Sequence, residues 1–202
     1  MNSPRERARA EIYLVRHGET AWSITGQHTG WTDLPLTAGG ELQARGLERR
    51  LGKVNFSHVL ASPLRRARKT CELAGFAASE VLDRDLVEWN YGDYEGHTLA
   101  EIRRNSPDWE LFRDGCPGGE SVAAISERVD RIVARLRALQ GSVVIFSSGH
   151  VLRVLASRWV AASASLGRVL ALDPASISVL GYEHGGENGV VRLWNDAPRE
   201  VN

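Results

Sequence analysis

The sequence predicts an α/β fold, a three-layer α/β/α sandwich with a central, mainly parallel sheet. Short apolar runs typical of strands alternate with longer segments whose apolar residues recur every three or four positions, as in helices. Residues 143–146, Val-Val-Ile-Phe, are apolar throughout, which favours a central parallel strand covered on both faces. The length of 202 residues suits one substantial domain. We therefore expect a single domain over residues 1–202, with flexible ends at residues 1–10 and 197–202.

The first strand is predicted at residues 12–16, followed by a loop rich in Gly and Thr to about residue 36. Thr37 can cap a helix that carries Leu42, Leu47 and Leu51 towards Val54.

Residues 58–61 are expected to form the second strand. Ser62 and Pro63 favour a helix start directly after it, with Ser62 as the N-cap and the helix running to about residue 74. Thr98 and Glu101 have capping-box spacing and predict another helix.

The second half begins with a long amphipathic helix after Ser121, which we expect to end at Gly141. Its apolar face comprises Val122, Ile125, Val129, Ile132, Val133, Leu136 and Leu139. The strand at residues 143–146 follows, then a helix after His150, and residues 177–182 and 190–194 predict a hairpin.

Composition excludes several function classes. The 25 basic residues balance the 25 acidic ones, so no net field favours nucleic acid or an anionic membrane. No segment approaches the about 18 apolar residues of a membrane span, and no signal-peptide core follows the first ten residues. Cys71 and Cys116 lack metal-ligand or redox spacing. We expect a cytoplasmic protein with no nucleic-acid or membrane partner.

Charged motifs follow three of the predicted strands. Arg16-His17-Gly18 ends the first, Arg66 lies near the start of the helix after the second, and Ser148-Gly149-His150 follows the apolar one. Carboxyl ends of parallel strands share one edge of a sheet, where open α/β folds bind ligands. Glu88 follows another short extended stretch and is expected at the same place. An arginine beside a histidine suits a phosphate ester, although His17 alone also fits a structural histidine.

The motifs together resemble the histidine phosphatase superfamily, also called phosphoglycerate mutase-like, over roughly residues 11–184. The matching blocks are residues 14–20, Trp22, and residues 29–37, 62–67, 88–96, 117–121 and 148–150. The details are most similar to the sedoheptulose-1,7-bisphosphatase-like branch and its related bacterial acid phosphatases, which place Ser at position 23 where the superfamily usually has Asn.

The resemblance implies a metal-free phosphotransfer through a phosphohistidine. His17 would be the nucleophile, Arg16, Arg66 and His150 would surround the phosphoryl group, and Glu88 would donate the proton and later activate water. The implied contacts to phosphate or substrate are Ser23, Thr29, Gly30, Tyr91 and the backbone amide of Val151.

Alternatives remain for the acceptor of the phosphoryl group. The segment between residues 96 and 121 is short and lacks the arginine- and proline-rich pattern of cofactor-dependent mutases, which favours a phosphatase over a phosphoglycerate mutase. The phosphatase needs no cofactor, whereas the mutase would need 2,3-bisphosphoglycerate. A small phosphorylated sugar or metabolite is the expected partner. A non-catalytic phospholigand-binding protein is the alternative of another class, and a homo-oligomer stays open.

Some residues near the motifs have open roles. Trp159 and Trp194 fit the core pattern, whereas Trp22, Trp31, Trp89 and His28 are candidates for the pocket wall. Asp93, Arg103 and Arg113 are candidates for substrate selection.

Overall fold

The computed structural model describes residues 11–183 and 188–197, so most of the expected flexible ends and the turn of the hairpin lie outside the described residues. The strands are β1 (Ile12–Arg16), β2 (Phe56–Ala61), β3 (Glu80–Leu82), β4 (Ser142–Ser147), β5 (Ile177–Glu183) and β6 (Asn188–Asp196). The α-helices are α1 (Ala21–Thr25), α2 (Ala38–Leu51), α3 (Arg65–Leu73), α4 (Leu99–Asn105), α5 (Leu111–Asp114), α6 (Val122–Ala138) and α7 (Gly149–Trp159). Within the described residues, no helix has the length and apolar character needed to cross a bilayer.

The strands form one mixed sheet in the order β3-β2-β4-β1-β5-β6. The apolar strand β4 lies between β1 and β2 and is parallel to both, as its sequence predicted. β5 is antiparallel to β1, and β6 is antiparallel to β5, which confirms the predicted hairpin strands. The fold is therefore the expected α/β sandwich with a mainly parallel centre.

Alternate residues of β4 enter two different cores. Val143 and Ile145 pack with the apolar faces of α6 and α7, whereas Val144 and Phe146 pack with α2 and α3. Covering both faces of the strand explains why it carries no polar alternation. The predicted helix carries all three leucines, of which Leu47 and Leu51 are buried in the second core, whereas Leu42 is 71% exposed.

Two further local predictions need correction. The loop after β1 contains helix α1, where Thr20 and Ser23 cap each other's backbone in a capping box. Ser62 does not cap α3, which begins later at Arg65 with Leu64 at the N-cap position. The carboxylate of Asp33 accepts from the Arg65 backbone N–H at 2.7 Å, so a distant loop supplies the acceptor that the local sequence lacks. The capping box of Thr98 and Glu101 is confirmed at α4.

Strand pairing brings the predicted motifs to one edge. Arg16 is in register with Ser147, and Ala61 with Phe146, so β1, β2 and β4 end at the same level. Gly18 is needed here for packing, because a Cβ atom on it would lie 2.3 Å from the Gly40 carbonyl oxygen. The turn after β1 therefore lies directly against α2.

Candidate active site

A cavity of about 190 Å³ opens at the carboxyl edge of β1 and β4. Its lining residues are Arg16, His17, Trp22, Ser23, Gly26, Gln27, His28, Thr29, Glu88, Tyr91, Gly149, His150, Arg153 and Leu172. Seven of the ten predicted site residues thus meet at one cavity, and Arg66, Gly30 and Val151 do not line it.

His17 is a buried, neutral imidazole with a defined tautomer. Its Nδ1 donates to the Gly18 carbonyl oxygen at 2.7 Å, which leaves the lone pair on Nε2. Burial, followed by the charges of Arg66 and Arg16, lowers the pKa of His17 well below its usual range. The ring therefore has the protonation state that a nitrogen nucleophile needs.

Arg16 offers a donor with no protein partner. One Nη donates to the Leu172 carbonyl, whereas the buried Nε has no hydrogen-bond partner among the residues that the structure describes. An unpaired buried donor carries a desolvation cost that an anionic ligand would relieve.

Arg66 is fully buried, whereas Arg65 is exposed, so Arg66 is the arginine of the motif that reaches the site. Its Nη atoms donate to the carbonyl oxygens of Thr32, Thr29 and Gly30, at 3.0, 3.0 and 2.7 Å. Arg66 thus orders the loop beside the pocket and adds positive charge near His17.

Ser148, which the sequence analysis did not select, is the side chain of the Ser148-Gly149-His150 motif that contacts Arg66. Its buried hydroxyl oxygen lies 3.4 Å from Arg66 Nε. Its position directly after β4 was the one signal that could have identified it.

Glu88 follows a 3₁₀ turn at Arg84–Leu86 where a short extended stretch was expected. Its Oε1 accepts the backbone N–H groups of Trp89 and Val151, both at 2.8 Å, and Oε2 accepts that of His150 at 2.9 Å. The N-terminus of α7 therefore holds this carboxylate. The expectation that the Val151 amide binds phosphate is corrected, since that donor is already engaged.

His150 lies in the first turn of α7 and lines the cavity. Its Nδ1 shares a 2.5 Å hydrogen bond with the Tyr91 hydroxyl, and its ring stacks with His28 at 6.2 Å between centroids. Burial, and then Arg153, His28 and Arg16, lower the pKa of His150 well below its usual range. Burial raises the pKa of Tyr91, so the phenol keeps its proton and can donate it to Nδ1. In the tautomer in which Tyr91 donates to Nδ1, His150 Nε2 carries the hydrogen and is a donor.

The remaining predicted contacts, Ser23, Thr29 and Gly30, differ in whether their donors are free to bind a ligand. The Ser23 hydroxyl donates to the Thr20 carbonyl within the α1 capping box, so it must rotate to reach a ligand. The Thr29 hydroxyl makes one long bond to the Gln27 carbonyl, at 3.3 Å. The Gly30 N–H donates to Glu95 at 2.8 Å, so its predicted contact with phosphate is corrected for the same reason as that of Val151.

The aromatic residues near the motifs differ in whether they line the cavity. Trp22 and His28 line the cavity, whereas Trp31 is exposed outside it and Trp89 is fully buried. Trp159 is buried as expected, and Trp194 is half-buried.

Sequence analysis missed Arg153 and Leu172, which also line the cavity, while the candidates Asp93, Arg103 and Arg113 do not. The position of Arg153 three residues after His150, on one helix face, was the available signal. Within the described residues, no group of three or more His, Cys, Asp or Glu side chains is arranged to hold a metal ion.

Comparison with known proteins gives consistent results. The family model of the histidine phosphatase superfamily (branch 1) matches residues 12–197. An acid phosphatase of Mycobacterium tuberculosis is 43% identical over 86% of this chain and 87% of its own length. A sedoheptulose 1,7-bisphosphatase of Saccharomyces cerevisiae is 36% identical over 72% and 66%. A probable phosphoglycerate mutase of Escherichia fergusonii is 34% identical over 86% and 85%.

A solved structure of an open reading frame product from Mycobacterium tuberculosis aligns with a TM-score of 0.87 at 38% identity, covering 93% of this chain and 98% of that one. The similarity therefore covers nearly all of this chain.

Proposed function

The chain belongs to the histidine phosphatase superfamily (branch 1), and on that premise we propose that it is a metal-independent phosphomonoester hydrolase that acts through a phosphohistidine at His17. Its phosphatase activity agrees with relatives named acid phosphatase and sedoheptulose 1,7-bisphosphatase. The proposed substrate is a small phosphorylated sugar or a similar metabolite.

The observation that carries the proposal is the state of His17. A neutral ring with its hydrogen on Nδ1 presents the Nε2 lone pair beside two buried guanidinium groups. Phosphoryl transfer depends mainly on positioning and on positive charge around the equatorial oxygens. Arg16 supplies the free donor. Arg66 binds the carbonyl oxygens of the loop at residues 29–32 and adds positive charge near His17.

The reaction proceeds in two displacements. Glu88 enters the reaction as the carboxylic acid. His17 Nε2 bonds to phosphorus as the ester P–O bond breaks, and the leaving alkoxide takes the Glu88 proton, which leaves the carboxylate. Water then bonds to phosphorus as the N–P bond breaks, and Glu88 takes the proton of that water. The site returns to its starting state with alcohol and phosphate released. One lone pair of Glu88 Oε2 remains for this proton, because Oε1 already accepts two N–H bonds.

Water is the proposed acceptor because the segment between residues 96 and 121 contributes nothing to the cavity wall. The adjacent Arg103 and Arg104 are exposed, and Arg103 binds the Trp109 carbonyl instead. A mutase must retain a bisphosphorylated intermediate, which calls for more cations at the pocket than Arg16 and Arg153.

Trapping the intermediate tests the proposal. After brief incubation with a ³²P-labelled sugar phosphate under chelation, we expect acid-labile, alkali-stable label on the wild type. We expect no label and no turnover for His17→Ala. His58→Ala is the matched control, because His58 binds the Gln140 carbonyl away from the cavity.

Three results would contradict the proposal. Label and turnover that survive in His17→Ala would exclude His17 as the nucleophile. Conversion of 3-phosphoglycerate to 2-phosphoglycerate that needs 2,3-bisphosphoglycerate and exceeds hydrolysis would establish the mutase instead. Wild type without label or turnover on any ester would favour the non-catalytic alternative.

A further inference from the structure

The guanidinium of Arg16 is oriented by a loop that lies far away in the sequence. Its Nη1 donates to the carbonyl oxygen of Leu172, and Leu172 also lines the cavity. Within the described ranges 11–183 and 188–197, this carbonyl is the one hydrogen-bond acceptor of the guanidinium, and Nε stays unpaired. The direction in which Arg16 presents its free donor therefore depends on where Leu172 is held.

The loop at residues 171–176 belongs to no helix or strand, but its second half is fixed to the site. The N–H of Ala175 donates to the carbonyl oxygens of Arg16 and His17, at 3.1 Å each. These bonds tie Ala175 to the backbone at the end of β1. Because Leu172 lies three residues earlier, its position needs a second anchor.

Strand β6 supplies the second anchor through two neighbouring side chains. Trp194 Nε1 donates to the Ala171 carbonyl at 2.5 Å, on one side of Leu172. On the other side, Asn195 Oδ1 accepts the N–H of Asp173 at 2.7 Å, and Asn195 Nδ2 donates to Asp173 Oδ2 at 2.8 Å. Leu172 is therefore held between two residues that are both bound to β6.

A β-bulge in β6 allows both side chains to reach the same loop. Neighbouring side chains of a regular strand point to opposite faces of the sheet. In the pairing with β5, however, Trp194 and Asn195 together lie opposite the single residue Ser178. Asn195 has a φ of 56°, in the left-handed region that asparagine tolerates better than most residues, and its N–H donates to the Ser178 hydroxyl at 3.0 Å. The irregularity of β6 thus lies at the two residues that hold the loop.

We propose that Asn195 is a positioning residue: through Asp173 it holds the Leu172 carbonyl where that carbonyl aligns the Arg16 guanidinium with the phosphoryl group. Asn195 does not line the cavity, so it acts through Arg16 rather than on the substrate. A misplacement of about 1 Å caused by a distant substitution can slow a reaction by about a hundredfold. The inference rests on the proposed function for the phosphoryl group that Arg16 binds.

A double-mutant cycle with Arg16 tests this role. Asn195→Gly removes the side chain but permits the left-handed backbone, and Arg16→Met removes the guanidinium. In the wild-type background we expect Asn195→Gly to lower kcat/KM for p-nitrophenyl phosphate by about tenfold or more. In the Arg16→Met background the loss should be less than about twofold, because the contact acts through Arg16. Asn188→Gly, at the exposed start of the same strand, is the control and should keep the wild-type kcat/KM.

An exchange of the two side chains gives an independent test. In Asn195→Asp a second carboxylate faces that of Asp173, so kcat/KM should fall as the loop is pushed away. The double variant Asn195→Asp/Asp173→Asn again places an amide donor opposite a carboxylate, and the backbone N–H of residue 173 keeps its acceptor. We expect the double variant to recover a kcat/KM within about threefold of the wild type.

Orthovanadate binding extends the cycle to variants without measurable turnover. In calorimetric titrations, Asn195→Gly should raise the Kd of orthovanadate by about tenfold in the wild-type background and by less than about twofold in the Arg16→Met background. Circular dichroism checks folding, and if Asn195→Gly does not fold, the exchanged pair decides the outcome.

Three results would overturn the positioning role. They are wild-type kcat/KM in Asn195→Gly, an equal loss in both Arg16 backgrounds, and a double exchange variant as impaired as Asn195→Asp. A wild type that does not hydrolyse p-nitrophenyl phosphate or any other ester would instead refute the proposed function. The orthovanadate cycle would still test Asn195 in that case, so the two failures are distinguishable.

Discussion

The segment that carries Glu88 is clamped by a buried arginine on α6, and removing that arginine gives a sharp prediction. Arg128 donates from Nε and Nη2 to both carboxylate oxygens of Glu120, at 2.8 and 2.7 Å. The same guanidinium donates to the carbonyl oxygens of Val87 at 2.8 Å and Glu88 at 3.4 Å. Arg128→Met should therefore lower both stability and catalysis.

The expected loss of stability follows from the burial of the pair. The side chains of Arg128 and Glu120 are only 10% and 16% exposed, so Glu120 would remain largely out of water without its partner. Removing one member of a buried ion pair costs about 3–5 kcal/mol. Because this pair is partly exposed, we expect Arg128→Met to lower the free energy of unfolding by about 3 kcal/mol. The free energy of unfolding of a domain is only about 5–15 kcal/mol, so this loss would be a large share of it.

Urea unfolding measures this loss in the free energy of unfolding, provided that the variant and the wild type have the same m-value. Arg131→Met on the same helix is the matched control: Arg131 is 57% exposed in its pair with Asp85, so its removal should leave the free energy of unfolding nearly unchanged. The double variant Arg128→Met/Glu120→Met should be more stable than Arg128→Met alone, because no buried charge is left unpaired. An Arg128→Met variant as stable as Arg131→Met would refute the reasoning.

Four further predictions concern the site and the core. Glu88→Gln should slow turnover by about a hundredfold or more in steady-state assays, because the amide cannot transfer the proton and its NH₂ group must face a backbone N–H; near wild-type turnover would argue against the role. His17 reacts in its neutral form and its pKa is lowered, so the acid limb of kcat/KM should lie below about pH 6.5, and an acid limb at or above the usual histidine value would contradict this. Stability should fall as the pH drops below about 6.5, since the unfolded chain then binds protons that the buried His17 and His150 do not. Burial raises the pKa of Cys71 and Cys116 to about 12, so thiol reagents at about pH 8 should label them only after denaturant is added.

Local sequence determined the elements and the residues that meet at the edge of the sheet. The apolar run at residues 143–146 predicted a central strand, and the motifs at Arg16-His17 and Ser148-Gly149-His150 follow strands that pair in register. Such features are predictable because periodicity, capping and the shared edge of parallel strands depend on neighbours or on simple topology.

Only the tertiary structure decided where individual donors point. The amides of Val151 and Gly30 were predicted to meet phosphate, but they bind Glu88 and Glu95, which lie 63 and 65 residues away in the chain. Arg153 lines the cavity with its guanidinium held by the Gly167 carbonyl and the Phe112 ring, contacts that no local pattern predicts. A backbone N–H bonds to whichever acceptor folding brings within about 3 Å, and that acceptor comes from another part of the chain. The sequence by itself therefore determined the sandwich and the chemistry gathered at its edge, while long-range packing decided which groups stay free to bind a substrate.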